Sequence, residues 1–204
     1  MLNTKSLNDS ASERLIANQK SHRSQDLEQI FAQCFGERYQ TVLCGGASEP
    51  LYLPANSDEN TTKNHIILYR DDYFASALHE VAHWCIAGHA RRLQVDYGYW
   101  YAEDGRNAKQ QAAFESVEVK PQAIEWAFTK ACKRQFSVSI DNLHGNAGDS
   151  LAFTQQVAKQ LSLYVKQGFP ARAQQFIIAL TSYYQHNTFD ESNLTNLTNE
   201  GQCT

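Results

Sequence analysis

The chain has 204 residues, with 18 Lys+Arg against 22 Asp+Glu, a formal charge of −4 and a pI near 6.0. That balance does not supply the concentrated basic surface on which nucleic-acid binding relies, and no apolar run approaches the roughly 20 residues that cross a bilayer. With 42% hydrophobic residues, the composition predicts a soluble protein with one core, since domains hold on the order of 100–200 residues.

The cysteines, Cys34, Cys44, Cys85, Cys132 and Cys203, are odd in number, widely spaced and free of any CxxC pair. They fit neither a disulfide framework nor a thiolate zinc site, and predict reduced thiols in the cytoplasm. Near the N-terminus Lys5, Arg14, Lys20 and Arg23 are not followed by the apolar segment of a secretory signal.

Residues 1–24 are rich in Ser, Asn, Lys and Gln, and their few apolar side chains bury too little to offset the entropy of ordering. They read as a disordered lead-in, and residues 187–204 read as a flexible tail of the same kind. Residues 25–186 between them are expected to form a single domain. Ser24 is placed to cap a helix whose apolar stripe is Leu27, Ile30, Phe31 and Cys34, with Gly36 as its stop. Short strands are expected at Thr41–Leu43, Leu51–Leu53 and His65–Tyr69, separated by Gly45-Gly46, Pro50, Pro54 and a polar loop.

A helix follows over Tyr73–Ala87, with Gly88 as its terminator. An aromatic tract, Tyr97, Tyr99, Trp100 and Tyr101, leads to the turn dipeptide Asp104-Gly105. Helical patterns then span Ala108–Phe128, broken or kinked at Pro121, and Leu151–Lys166 and Ala171–Tyr184. A few strands followed by a majority of helix is an α+β pattern, a small mixed β-sheet packed with several α-helices.

His79-Glu80-Val81-Ala82-His83 is an HExxH sequence inside the expected helix. Four helical residues advance about 6 Å and 400°, so both imidazoles stand on one face and can grip one ion. Glu80, rotated by about 100°, can reach a metal-bound water or orient a ligand. Two imidazoles rarely hold a catalytic ion alone, so a third ligand sets the chemistry. One candidate is His89, which completes an H-x3-H-x5-H spacing similar to metzincin proteases and to bacterial rRNA-maturation endoribonucleases, although Ile86 stands where the metzincin pattern wants glycine. Three histidines favour zinc hydrolysis. The other candidates are the carboxylates Glu115, Glu118 and Glu125, with Glu115 and Glu118 sharing a face and Glu125 somewhat off it. Two histidines and a carboxylate leave open positions suited to Fe(II) and dioxygen.

Longer blocks are more specific than the pentapeptide. His79–Gly88 (HEVAHWCIAG), Arg91-Arg92, Val95–Tyr101 (VDYGYWY), Asp104–Arg106 (DGR) and Phe114–Ala123 (FESVEVKPQA) together resemble the elongation factor P hydroxylase family. The resemblance extends upstream to Glu49–Ala55 (EPLYLPA) and downstream to Asp141-Asn142-Leu143, covering most of residues 25–185. It implies an enzyme that hydroxylates the lysine of bacterial elongation factor P after that lysine has received a β-lysyl group, using dioxygen. By position, the ligands it implies are His79, His83 and Glu118, with iron as the metal. It also implies a fold like that of the rRNA-maturation endoribonucleases, with HExxH on a central helix. His89 departs from the family pattern.

That chemistry agrees with the residues. Hydroxylating an unactivated C–H bond needs an oxidant that no side chain supplies, which leaves the protein to orient the reactants and exclude water. Tyr97, Tyr99, Trp100 and Tyr101 are candidates for the walls of a channel for a cationic side chain, or for plain core. Among Asp96, Glu103 and Asp104 at least one is expected to meet the substrate ammonium groups, Asp104 having the simpler role of a turn residue. Glu80 would be the general base of a hydrolase, whereas in an oxygenase it acts from behind the ligands. His65, His144 and His186 lie outside ligand spacing and are expected to be ordinary surface or hydrogen-bonded histidines. The alternatives to iron hydroxylation are a zinc hydrolase using His79, His83 and His89, and a binding module in which a closed metal site staples two helices.

Overall fold

The computed structural model describes residues 22–98, 108–139 and 147–184. Among the described residues the strands are β1 (Thr41–Ala47), β2 (Leu51–Leu53) and β3 (His65–Arg70). β3 lies in the middle of this sheet, parallel to β1 and antiparallel to β2. The register runs from Thr41 opposite His65 to Cys44 opposite Leu68 on one side, and from Leu51 opposite Leu68 to Leu53 opposite Ile66 on the other. Thr41 and Leu43 are buried while Val42 and Cys44 are exposed, so one face of β1 meets the core.

The expected break at Gly45-Gly46 does not occur, and β1 runs on through a register shift between Cys44 and Ala47. The reason is a close approach: a Cβ on Gly45 would lie 2.6 Å from both the Tyr69 ring and the Asp71 carbonyl oxygen. Glu28 fixes the approach by accepting from the Gly45 N–H at 3.0 Å and from the Tyr69 hydroxyl at 2.8 Å.

Helix α1 is Ser24–Phe31. Ser24 is its first residue rather than its cap, and Arg23 stands in the cap position, its guanidinium 2.7 Å from Asp26. Nor does Gly36 stop the chain, which continues through a π-helical turn at Ala32–Gly36 and a helical turn at Glu37–Tyr39 to Gln40, in the left-handed region at φ 46°. His22 already packs on the fold, donating to the Cys132 carbonyl at 2.6 Å and stacking on Tyr184.

Helix α2 is Phe74–Ile86 and carries the HExxH residues. It buries Phe74, Ala77, Leu78, Val81, Ala82, Trp84 and Cys85, the i, i+3, i+4, i+7 pattern of a helix with one face on the core. Three more α-helices follow: the longer α3 (Ala108–Ala131) and α4 (Ala147–Gln167), and α5 (Ala171–Tyr183), equal in length to α2. α3 is continuous through Pro121, so the sequence after the proline keeps the helical phase of the sequence before it. α2 packs against β1, β3, α1, α3 and α5, and α4 lies along α3. No helix among the described residues is long and apolar enough to cross a membrane.

An aromatic cluster anchors the C-terminal half of α2. Trp84, fully buried, has the rings of Phe31, Phe35 and Tyr39 at 5.1, 4.9 and 5.1 Å, and Phe176 of α5 packs on Phe31, Phe35 and Phe128. α2 does not use Gly88 to terminate. Instead Arg172 of α5 donates from Nη2 to the carbonyls of Trp84, Cys85 and Ala87 at 2.8, 3.0 and 2.6 Å, with its guanidinium 4.6 Å from the Trp84 ring. Arg92 adds a second bond to the Ala87 carbonyl. Positive charge at the last carbonyls is where the helix dipole favours it.

Arg172→Ala removes this cap and strands partly buried carbonyls. Hydrogen bonds from a charged donor contribute about 1.5–3 kcal/mol, so chemical denaturation is expected to show a loss of about 2–4 kcal/mol. Arg172→Lys, with a single point charge, is expected to recover part of it. Equal stability of Arg172→Ala and the parent chain contradicts the capping role.

Candidate metal centre

α2 and α3 face each other with unlike side chains. From α2 come His79 and His83, one turn apart, their rings 4.7 Å between centroids. From α3 comes Glu118, only 3% exposed. Its Oε1 lies 3.2 Å from His83 Nε2 and its Oε2 lies 3.6 Å from His79 Nε2, while the two Nε2 atoms are 3.1 Å apart. One ligand atom from each residue thus falls within 4.8 Å of the others, and among the described residues this is the His/Cys/Asp/Glu cluster with metal-ligand geometry. Two imidazole nitrogens and one carboxylate, all aimed at one point, suit a divalent cation of intermediate softness.

The rest of the α3 face is also polar and buried. Gln122, with no exposed surface, lies 3.4 Å from Glu118 Oε2 through Nε2. It also donates to the Ser139 carbonyl at 2.7 Å and accepts from the Ser139 N–H at 3.1 Å, tying the segment after α3 back to the centre. Glu125 places Oε2 2.8 Å from Nδ1 of His79, on the side of the ring away from Glu118. Spacing in the sequence groups Glu118 with Glu115 and sets Glu125 somewhat off their face. In the structure Glu118 and Glu125 share a face, since seven residues turn a helix about 700°, within about 20° of two full turns. Glu115 lies partly exposed and accepts from Gln111 at 3.1 Å. A buried polar series at i, i+4 and i+7 was the signal available in the sequence for Gln122 and Glu125.

These neighbours shape the charges. Burial opposes protonation of His79, but the carboxylates of Glu125, then Glu118 and Glu80, outweigh it and push the imidazole up to about 10. Burial likewise opposes ionisation of Glu118, yet His83 first and then His79 and Gln122 pull its carboxyl down to about 2. Glu80 is half-buried; burial raises its carboxyl, against the opposing pull of His79 and His83.

His83 also lines a cavity of about 640 Å³ together with Tyr97, His89, Arg91, Lys120 and Tyr164. His89 is exposed beyond the end of α2 and is not part of the converging group. Tyr97 is buried and stacks on Tyr52 at 4.3 Å, so it serves as wall and core at once, and its hydroxyl has no hydrogen-bond partner. Asp96, half-buried, accepts the Tyr52 N–H at 2.8 Å and holds a left-handed backbone at φ 47°. His65 accepts from the Ala55 N–H at 3.1 Å, the hydrogen-bonded role expected of it. Tyr99, Trp100, Tyr101, Glu103, Asp104, His144 and His186 lie outside the described residues.

Comparison with known proteins places the chain in a family. Residues 30–194 match the family model described as elongation factor P hydroxylase. A curated relative from Haemophilus influenzae, named elongation factor P lysine hydroxylase, is 44% identical over 173 residues, which cover 85% of this chain and 94% of the relative. The residues matched by the family model include the sheet and both helices that meet at the cluster. The chain belongs to the elongation factor P hydroxylase family of enzymes.

Proposed function

We propose that the chain hydroxylates the β-lysylated lysine of elongation factor P at an Fe(II) centre held by His79, His83 and Glu118, with dioxygen as co-substrate. The observation that carries this reading is the convergence of those three side chains from α2 and α3. The name of the Haemophilus influenzae relative supports the substrate. Iron with open cis positions supplies the oxidising power that C–H hydroxylation needs and that amino-acid side chains lack.

The chain's own residues have separate tasks. His79 and His83 present Nε2 from consecutive turns of one rigid helix, and Glu118 supplies negative charge from the opposite helix, fixed by Gln122. Glu80 acts from behind these ligands, its carboxyl raised by burial against the pull of His79 and His83. The cavity beside His83 admits a long side chain, with the Tyr97 ring as an apolar wall that excludes water. We read the mixed sheet beneath the HExxH helix as the architecture shared with the rRNA-maturation endoribonucleases. Unpaired Cys34, Cys44, Cys85 and Cys132 support a place in the cytoplasm.

One oxygen atom enters the C–H bond and the other leaves as water with two electrons from a reductant, so the reaction is tested by incubating β-lysylated elongation factor P with the chain, Fe(II), a chemical reductant and air and measuring intact mass. A gain of one oxygen atom is expected, and its loss in His83→Ala. No gain with Fe(II), together with zinc-dependent cleavage of RNA or peptide, overturns the proposal in favour of a hydrolase.

The ligand set is tested by Co(II) titration, with one equivalent bound by the parent chain. Glu118→Ala is expected to weaken binding by more than about 100-fold, beyond the 10–100-fold typical of outer groups, while Glu115→Ala leaves it unchanged. Equal binding by Glu118→Ala and the parent removes Glu118 from the set.

Affinity is also expected to depend on pH. The metal needs a neutral imidazole, and His79 is held up to about 10 in the metal-free protein, so a proton competes throughout the neutral range. Raising the pH removes the competitor and tightens binding, by about tenfold per pH unit for each proton displaced. A flat profile between about pH 6 and 8 contradicts the protonated resting state of His79.

A further inference from the structure

We propose that Glu125 is a positioning residue for the metal centre, accepting the Nδ1–H of His79 and thereby presenting that ring's Nε2 to the ion; this rests on the reading of His79, His83 and Glu118 as ligands. A neutral imidazole carries one proton on either of two nitrogens, and only the deprotonated nitrogen can bind a metal. A carboxylate only accepts, so the 2.8 Å contact between Glu125 Oε2 and His79 Nδ1 places the proton on Nδ1. Nε2, which faces His83 Nε2 at 3.1 Å and Glu118 at 3.6 Å, is then the nitrogen that gives up its proton when an ion binds.

Geometry makes Glu125 suited to hold the ring. Its side chain is only about a tenth exposed, and it sits in a stretch of α3 where Ala123, Ile124, Ala127 and Phe128 have no exposed surface. The carboxylate is therefore fixed to the same helix that brings Glu118, two turns earlier. The imidazole is thus hydrogen-bonded at Nδ1 and faces Glu118 with Nε2, both partners on one helix, which sets its position and its tilt. A charged acceptor at Nδ1 also makes Nε2 a stronger donor to the metal, and outer partners of this kind contribute about 10–100-fold to affinity. Glu125 touches the ligand and not the ion, so its effect is on positioning.

The test reads metal binding and ring chemistry, independent of turnover. Co(II) affinity is measured by absorption titration for the parent chain, Glu125→Gln, Glu125→Asp and Glu125→Leu, with Glu118→Ala and Glu115→Gln alongside. Glu125→Leu is expected to lose about 10–100-fold. Glu125→Gln, which keeps the shape and an acceptor oxygen but not the charge, is expected to lose less, and Glu125→Asp to recover part of the loss. Nitrogen-15 spectra of the zinc-loaded parent chain are expected to show His79 metal-bound through Nε2 with a proton on Nδ1, and that proton's signal to shift in Glu125→Gln. Should Glu125→Leu fail to fold, the near-isosteric Gln variant and the spectrum of the parent decide the matter.

Loss of binding in Glu118→Ala with parent-like affinity in both Glu125→Gln and Glu125→Leu overturns the role of Glu125 and leaves the ligand set standing. A zinc-loaded spectrum with Nδ1 of His79 on the metal overturns it as well. Parent-like affinity in Glu118→Ala as well overturns the ligand set and this role together.

Discussion

A carboxylate that is almost wholly buried must find positive charge or hydrogen-bond donors, because its desolvation costs far more than an ordinary interaction returns. Glu118 finds both in the imidazoles of His79 and His83, and that requirement couples α2 to α3. Neither helix could slide by a turn without leaving the acid unpaired, so the centre fixes the helix packing as much as the packing fixes the centre. A cation at the same point satisfies all three groups at once, which explains why such a costly cluster stays in the core.

The remainder of the fold serves to hold α2 still. The sheet gives it an apolar surface, the rings around Trp84 lock its C-terminal half, and Arg172 closes its last carbonyls from α5. On the other side Glu118, Gln122 and Glu125 form a polar stripe at core spacing along α3. Apolar packing thus positions both helices, and hydrogen bonds to the site add to it on α3. Tyr97 and Asp96, in consecutive left-handed conformations beside the cavity, connect the centre to β2 through Tyr52.

Much of this was legible in the residues. HExxH gave the imidazole pair because helix periodicity is local, the strands followed from short runs between turn residues, and the helices from apolar stripes. Glu118 emerged from a longer family resemblance, since nothing local tells which of three glutamates on a helix reaches a partner far away in sequence. Glu125 was misjudged because its phase was compared with Glu115 and not with Glu118, and because Pro121 made the continuity of α3 uncertain. Gly36, Gly45 and Gly88 were read as breaks, yet a glycine marks a chain end only when its freedom is used there. Gly45 instead gives Tyr69 room, and Gly88 leaves termination to arginines from elsewhere. Long-range partners such as Arg172 leave no local pattern to find.

The account stands on one ion seated among three side chains, and anomalous X-ray scattering from crystals grown with Fe(II) or Co(II) under anaerobic conditions sees that ion directly. A single strong peak is expected at about 2.0–2.3 Å from Nε2 of His79, Nε2 of His83 and a Glu118 oxygen, with room for further ligands. A peak bound by His89, or one on Nδ1 of either ring with Glu118 turned away, contradicts it.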